Sequence, residues 1–230
     1  MGSVGSNYTR FSDKPERIWG MERSFAGSGA DTDAFFRDNT NSYDLIEQIA
    51  NDPEAQSAFS DYWAVGWFMR GEQYDGFSNM DKGNQERTRI YDKYLDQSEI
   101  NKGFETRRLA SAELLLGKGN KTITEEQLKA LKGKDIIAKG NMSTSAASQG
   151  LDIMGSNHQV EYVLQFPKGS KGAGMWIGDY RVNEEWGNGQ REFMTNRDSV
   201  YTVKDYKWND KRNVWEVTIR YKFGVEHDYS

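Results

Sequence analysis

The sequence contains no cysteine, two histidines and three prolines, and only 36% of its 230 residues are hydrophobic. Without cysteine there is no disulfide and no thiolate metal ligand. His158 and His227 are too few for a multi-histidine metal site, and Ser-His-Asp chemistry would rest on one of them. The simpler expectation is a loop imidazole and a C-terminal tail residue, with no metal. Mean hydropathy is −0.87, and no apolar run approaches the ~20 residues that a membrane helix needs. Residues 1–30 lack the apolar stretch of a signal peptide. The opening Met1-Gly2-Ser3-Val4-Gly5-Ser6 formally fits a myristoylation pattern, but reads better as a cloning scar or the terminus of an excised domain. The formal charge of −5 and pI near 5.3 argue against a nucleic-acid partner, whose phosphates require a basic surface.

What the chain has instead is aromatic bulk: 7 Trp, 12 Tyr and 11 Phe. Each buries a large area, which offsets the scarcity of aliphatic side chains. The length suits one domain with a substantial core. Residues 1–40, rich in Gly, Ser, Asp and Asn, read as an irregular arm or linker with at most a short helix. Residues 41–230 read as a single domain, helical over 41–102 and β-rich over 103–230. Leu45, Ile46 and Ile49 form a helical stripe, Asp52-Pro53 breaks it, and 55–69 and 84–95 continue the helical spacing. A capping-box spacing at Thr124 and Gln127 starts another helix, and Gly133 ends it. Strands are expected near 104–109, 135–139, 142–146, 160–166, 174–177, 192–195, 200–206 and 214–223, the last two forming a hairpin around 209–213. The fold class is α+β, helices first and a mostly antiparallel β core after.

Four short motifs carry polar chemistry. Gln190 and Glu192 are two apart, so on a strand both would project from one face. A carboxylate beside a neutral amide can stabilise positive charge and orient a hydroxyl at once. Taken singly the pattern is uninformative, because Gln-x-Glu occurs three times, at Gln97/Glu99, Gln159/Glu161 and Gln190/Glu192. Ser143-Thr144-Ser145 alone is an ordinary β-rich run, and Arg107-Arg108 alone a solvated basic pair. Pro167 to Gly172, with two lysines and two glycines, lacks Walker spacing and reads as a reverse turn between strands.

Their order is more telling than any one of them. Arg107-Arg108, then Ser143-Thr144-Ser145, then the Pro167–Gly172 turn, then Gln190-Arg191-Glu192 resembles the series of the mono-ADP-ribosyltransferases. The likeness is to clostridial Rho-modifying exoenzymes, iota-like toxins and the transferase domains of phage minor head proteins, over about residues 104–223. It implies N-terminal helices followed by two packed, mostly antiparallel sheets that form an NAD cleft. It also implies NAD as co-substrate, nicotinamide release, and a target protein as acceptor. By resemblance, Glu192 binds the 2′-hydroxyl of the nicotinamide ribose and stabilises an oxocarbenium-like state, and Ser143 orients Glu192. Arg107 holds an NAD phosphate, Arg108 lies beside the nicotinamide, and Thr144 and Ser145 shape the pocket. Gln190 faces the acceptor. Glutamine there accompanies Asn, Gln or Thr acceptors, or in a few members a nucleobase, rather than arginine. Residues 184–189 resemble the substrate-recognition loop, with Trp186 as its aromatic, although Trp186 stands four residues before Gln190 rather than three.

Residues 146–159 contain no arginine or lysine, where related toxins often place a second phosphate-binding arginine. Either NAD affinity is low, or a residue from elsewhere substitutes. Arg191 and Arg197 are expected to be solvated. Rival readings keep the fold: a virion-associated domain, active on host proteins or catalytically decayed, and a transferase acting on DNA bases. A secreted, injected or cytoplasmic setting fits the composition equally.

Overall fold

The computed structural model describes residues 8–11, 15–18, 21–24, 26–60, 77–146, 159–177, 191–225 and 227. The described residues form six α-helices and ten strands. They are β1 (Pro15–Ile18), β2 (Met21–Ser24), α1 (Ala26–Asn39), α2 (Ser42–Ala50), α3 (Pro53–Ser60), α4 (Lys82–Leu95), β3 (Phe104–Ala110), α5 (Glu113–Leu116) and α6 (Glu125–Leu131). Then come β4 (Asp135–Ala138), β5 (Ser143–Ser145), β6 (Val160–Phe166), β7 (Gly174–Trp176), β8 (Glu192–Thr195), β9 (Ser199–Asn209) and β10 (Val214–Phe223).

The helix boundaries follow local chemistry. In α2, Leu45 and Ile49 lie one turn apart and are buried. The chain then breaks at Asp52, whose carboxylate accepts from the amides of Glu54 and Ala55 at 3.0 and 3.1 Å. That caps α3, whose first residue is a proline that has no amide to lose. Asp81 caps α4 through the amide of Asn84. At α6 the expected capping box is complete, with Thr124 and Gln127 satisfying each other's backbone.

Eight strands run in the order β4-β9-β10-β6-β3-β5-β8-β7, all neighbours antiparallel except β10 and β6; β1 and β2 form a separate antiparallel pair. The two sheets expected from the sequence are thus joined into one hydrogen-bonded order. The join is narrow, a single Cα pair between Arg107 and Ser145. In a flat sheet, Phe166 on β6 and Phe193 on β8 would stand three strand spacings apart, roughly 14 Å. Their ring centroids are 4.9 Å apart, and Phe104 touches both at 5.1 and 5.0 Å. The two halves therefore fold toward each other and pack through these phenyl groups.

Each face of this order has its own core. One contains Phe104, Tyr162, Leu164, Phe166, Phe193, Val217 and Ile219, closed by Leu115 of α5 and Leu128 of α6. The other joins Met175, Ile177 and Met194 to Leu45, Ile49, Phe59, Tyr91 and Leu95 of α2, α3 and α4. Gly174 allows the close approach of β7 to β8: its φ is +138°, and a Cβ there would clash with the Met194 carbonyl.

The region read as an irregular arm is more ordered than its composition suggests. It contains the 14-residue helix α1, and Phe36 stacks on Trp176 with centroids 4.3 Å apart and a 7° interplanar angle. Thr9 also bonds to β3, accepting from the Glu105 amide and donating to the Gly103 carbonyl. Gly and Ser argue against helix locally, but burial of Phe35 and Phe36 against the sheet overrides that preference. Of the helix expected over 55–69, the first part is α3, and 61–69 lie outside the described residues. Among the described residues no helix is long and apolar enough to cross a membrane.

Candidate active site

Strands β3, β5 and β8 are neighbours, and their register aligns three polar residues. Arg107 is the Cα partner of Ser145, and Ser145 is the Cα partner of Glu192. Directly opposed residues on paired strands point to one face. A guanidinium, a hydroxyl and a carboxylate are therefore set in a row, with Arg107 and Glu192 two strand spacings, roughly 10 Å, apart. Arg107 and Glu192 are half-buried and Ser145 is buried. Two residues along β8, Met194 packs under the helical layer, so the row runs out from beside the edge of that layer.

The remaining expected site residues divide between the faces. Ser143 shares the face of Ser145 but opposes Met194, which leaves it diagonal to Glu192. Thr144 points the other way, is 3% exposed, and its hydroxyl donates to the Phe193 carbonyl at 2.7 Å. Arg108 also points away from Arg107, and its guanidinium donates to the Ser143 carbonyl at 2.7 Å, tying β5 to β3. The adjacent arginines thus have separate surroundings. Gln190 and Trp186 lie outside the described residues. Strand β8 begins at Glu192, directly after Arg191, whose φ of 49° is left-handed.

Sequence reasoning missed the carboxylates around Arg107. Glu161, fully buried in β6, accepts from Arg107 at 3.2 Å on one oxygen and from Arg212 on the other. Its Cα partner on β10 is Glu216, which is paired with Lys207 at 2.8 Å and bonded by the Asn209 amide at 2.6 Å. Burial pushes the Glu216 carboxyl up, but Lys207, Asn209 and Arg107 together hold it below the usual range. A glutamate inside the mostly apolar run of β6 was the available signal, since buried charge requires a partner.

The expectation that Arg191 and Arg197 are solvated is overturned. Arg191 is 1% exposed, its guanidinium bonded to the Thr32 hydroxyl of α1 and to the Ala146 carbonyl. Burial pulls it down to about 10, so it stays charged at neutral pH. Arg197 grips Asp92, its Nε 3.0 Å from both carboxylate oxygens and Nη2 2.8 Å from Oδ2, while Nη1 meets Asp198 at 2.6 Å. His227 is no loose tail residue: its Nδ1 lies 2.9 Å from Asp96 and its Nε2 3.5 Å from Asp198. The cause is the same in each case, a partner far away in sequence.

The comparisons with known proteins agree with this architecture. The chain superposes with a TM-score of 0.67 on Plx2a, an ADP-ribosyltransferase toxin from Paenibacillus larvae, at 14% identity over 84% of this chain and 96% of that one. It matches the Clostridium limosum C3 exoenzyme with a TM-score of 0.63, 17% identity, and coverage of 94% and 97%. For C3stau2 from S. aureus, solved with NAD, the values are 0.60, 16%, 94% and 99%. At such identities these likenesses establish the fold. No curated protein matches the sequence. The ADP-ribosyltransferase exoenzyme family model matches residues 60–222, a span that includes β3 through nearly all of β10. The chain therefore belongs to the ADP-ribosyltransferase exoenzymes, a family of NAD-dependent transferases.

Proposed function

We propose that this protein transfers ADP-ribose from NAD to a protein side chain other than arginine, with release of nicotinamide. The observation that supports this most is the row of Arg107, Ser145 and Glu192 across three adjacent strands. These residues suit NAD: a partly exposed guanidinium for a phosphate, and a carboxylate for a ribose hydroxyl. Glu192 accepts a hydrogen bond from the 2′-hydroxyl of the nicotinamide ribose. Its charge stabilises the cation that develops at C1′ as the bond to nicotinamide breaks and the electron pair leaves with neutral nicotinamide. The acceptor atom then bonds to C1′ and gives up its proton; water in its place yields NAD hydrolysis.

Ser145, directly opposite, and Ser143, on the diagonal, orient the carboxylate. Arg107 binds an NAD phosphate, Arg108 holds the β5 backbone beside the nicotinamide, and Thr144 fixes β5 against β8. Gln190 faces the acceptor. A neutral amide neither deprotonates a guanidinium nor pairs with its charge, which favours an Asn, Gln or Thr side chain. Trp186 contributes contact with the target protein.

The test is nicotinamide release from NAD by the wild type and by Glu192→Ala. Loss of a group that stabilises transition-state charge should lower release by ~100-fold or more; a variant within a few-fold of wild type removes Glu192 from the site. Gln190→Ala should lose transfer while keeping NAD hydrolysis, and equal loss of both would reject the acceptor-facing role.

A further inference from the structure

NAD carries its negative charge on a diphosphate, and Arg107 alone is poorly matched to two phosphates. Its guanidinium is already bonded to the buried Glu161 at 3.2 Å. The same carboxylate binds Arg212 through its second oxygen. Arg212 comes from the 210–213 turn between β9 and β10, more than 100 residues after Arg107. One buried carboxylate thus holds two guanidiniums side by side. Both retain exposed surface, 18% of the Arg107 side chain and 27% of the Arg212 side chain, so each has donors left for a ligand. Together with Lys207, three cations here face two carboxylates, Glu161 and Glu216. Within this cluster the excess is one positive charge, and the cluster lies on the sheet face that also carries Ser145 and Glu192. From Glu192 the strand order runs through β5 and β3 to β6, so a nucleotide with its ribose at Glu192 extends its diphosphate toward Glu161 and the paired arginines.

We infer that Arg212 is a second diphosphate-binding residue, held beside Arg107 by Glu161, and that it supplies the cation that residues 146–159 lack. This rests on the proposed NAD site. Arginine suits the task because its planar fork can keep one edge on the carboxylate and offer another to phosphate.

The experiment is NAD turnover and calorimetric binding with Arg212→Ala, Arg212→Lys and Arg212→Ala in a Glu161→Gln background, alongside wild type, with thermal melts to confirm folding. Losing a charged hydrogen bond to phosphate should raise KM for NAD by about tenfold to hundredfold with kcat within twofold, and lysine should recover part of it. If Arg212 touches the ligand, Arg212→Ala still raises KM when Glu161 is already Gln. If it only braces Glu161, the second change adds nothing and the inference fails. Inorganic pyrophosphate is the independent probe. Should wild type bind pyrophosphate through both arginines yet ignore NAD, the anion site stands and the NAD reading falls. Should wild type bind NAD and Arg212→Ala bind it equally well, the reading stands and Arg212 has no part in it.

Discussion

Among the described residues, the clusters of arginine and carboxylate around Glu161 and Asp92 differ in which charge is in excess and how fully it is spent. Around Glu161, the cations outnumber the acids and the two arginine side chains remain 18% and 27% exposed. Around Asp92, three carboxylates, Asp92, Asp96 and Asp198, surround Arg197 and His227, whose side chains are 9% and 3% exposed. Arg197 spends Nε, Nη1 and Nη2 on carboxylates and sets its guanidinium carbon 4.4 Å from the Phe77 ring centroid. Such a cluster is closed and can only hold elements together, here α4, the turn after β8 and the C-terminal segment. The first is open on one side and can take a ligand. Residue type does not separate the two; exposure and unspent donors do.

If that contrast is right, the closed cluster should fail in stability and the open one in binding. Arg197→Ala leaves the fully buried Asp92 without its main partner. Breaking a buried pair from one side costs about 3–5 kcal/mol, read as a lower urea midpoint at unchanged slope. Exchanging both members together, Asp92→Leu with Arg197→Met, should cost clearly less, because no stranded charge remains. A single change as mild as the double one would mean that Asp92 is not confined as described. Arg107→Ala should behave in the opposite way. Glu161 keeps Arg212 as a partner, so stability should fall by only about 1 kcal/mol. The KM for NAD should rise about tenfold or more. A large loss of stability with unchanged KM would reverse the two assignments.

The strands were the most legible part of the fold. Residues 160–166, 192–195 and 214–223 were expected with the bounds of β6, β8 and β10, because alternation and turn residues are local signals. Helix α1 was not legible, since its stability comes from Phe36 stacking on a tryptophan 140 residues away in sequence. The candidate site divides in the same way. The order Arg107, Ser143 to Ser145, Glu192 stood in the sequence, but the register did not. Which serine faces Glu192 is decided by how β5 pairs with β8, and a shift of one residue would turn every side chain to the other face. The pairing makes it Ser145. Arg191 and Arg197 were misjudged for a related reason. A charged residue in a short polar run looks solvated until Thr32, 159 positions away, or Asp92, 105 positions away, is brought beside it.

The smallest effect expected is a pH dependence peculiar to the closed cluster. Burial alone would depress the His227 imidazole, but its hydrogen bonds with Asp198 and Asp96 and the charge of Asp92 outweigh that and place it at about 9. In the unfolded chain it titrates near 6.5. A group whose folded pKa is raised binds its proton more tightly in the native state, so its contribution is complete below about 6.5 and fades as pH rises through about 9. Urea midpoints at pH 6, 8 and 10 should therefore decline for the wild type. His227→Gln should show a flatter profile and a lower midpoint at pH 6, with the two proteins converging at pH 10. The open cluster has no histidine among its members, so it predicts no such convergence. Parallel profiles for wild type and His227→Gln would mean that folding does not shift the imidazole's pKa, so that the carboxylates around Asp92 do not favour its charged form.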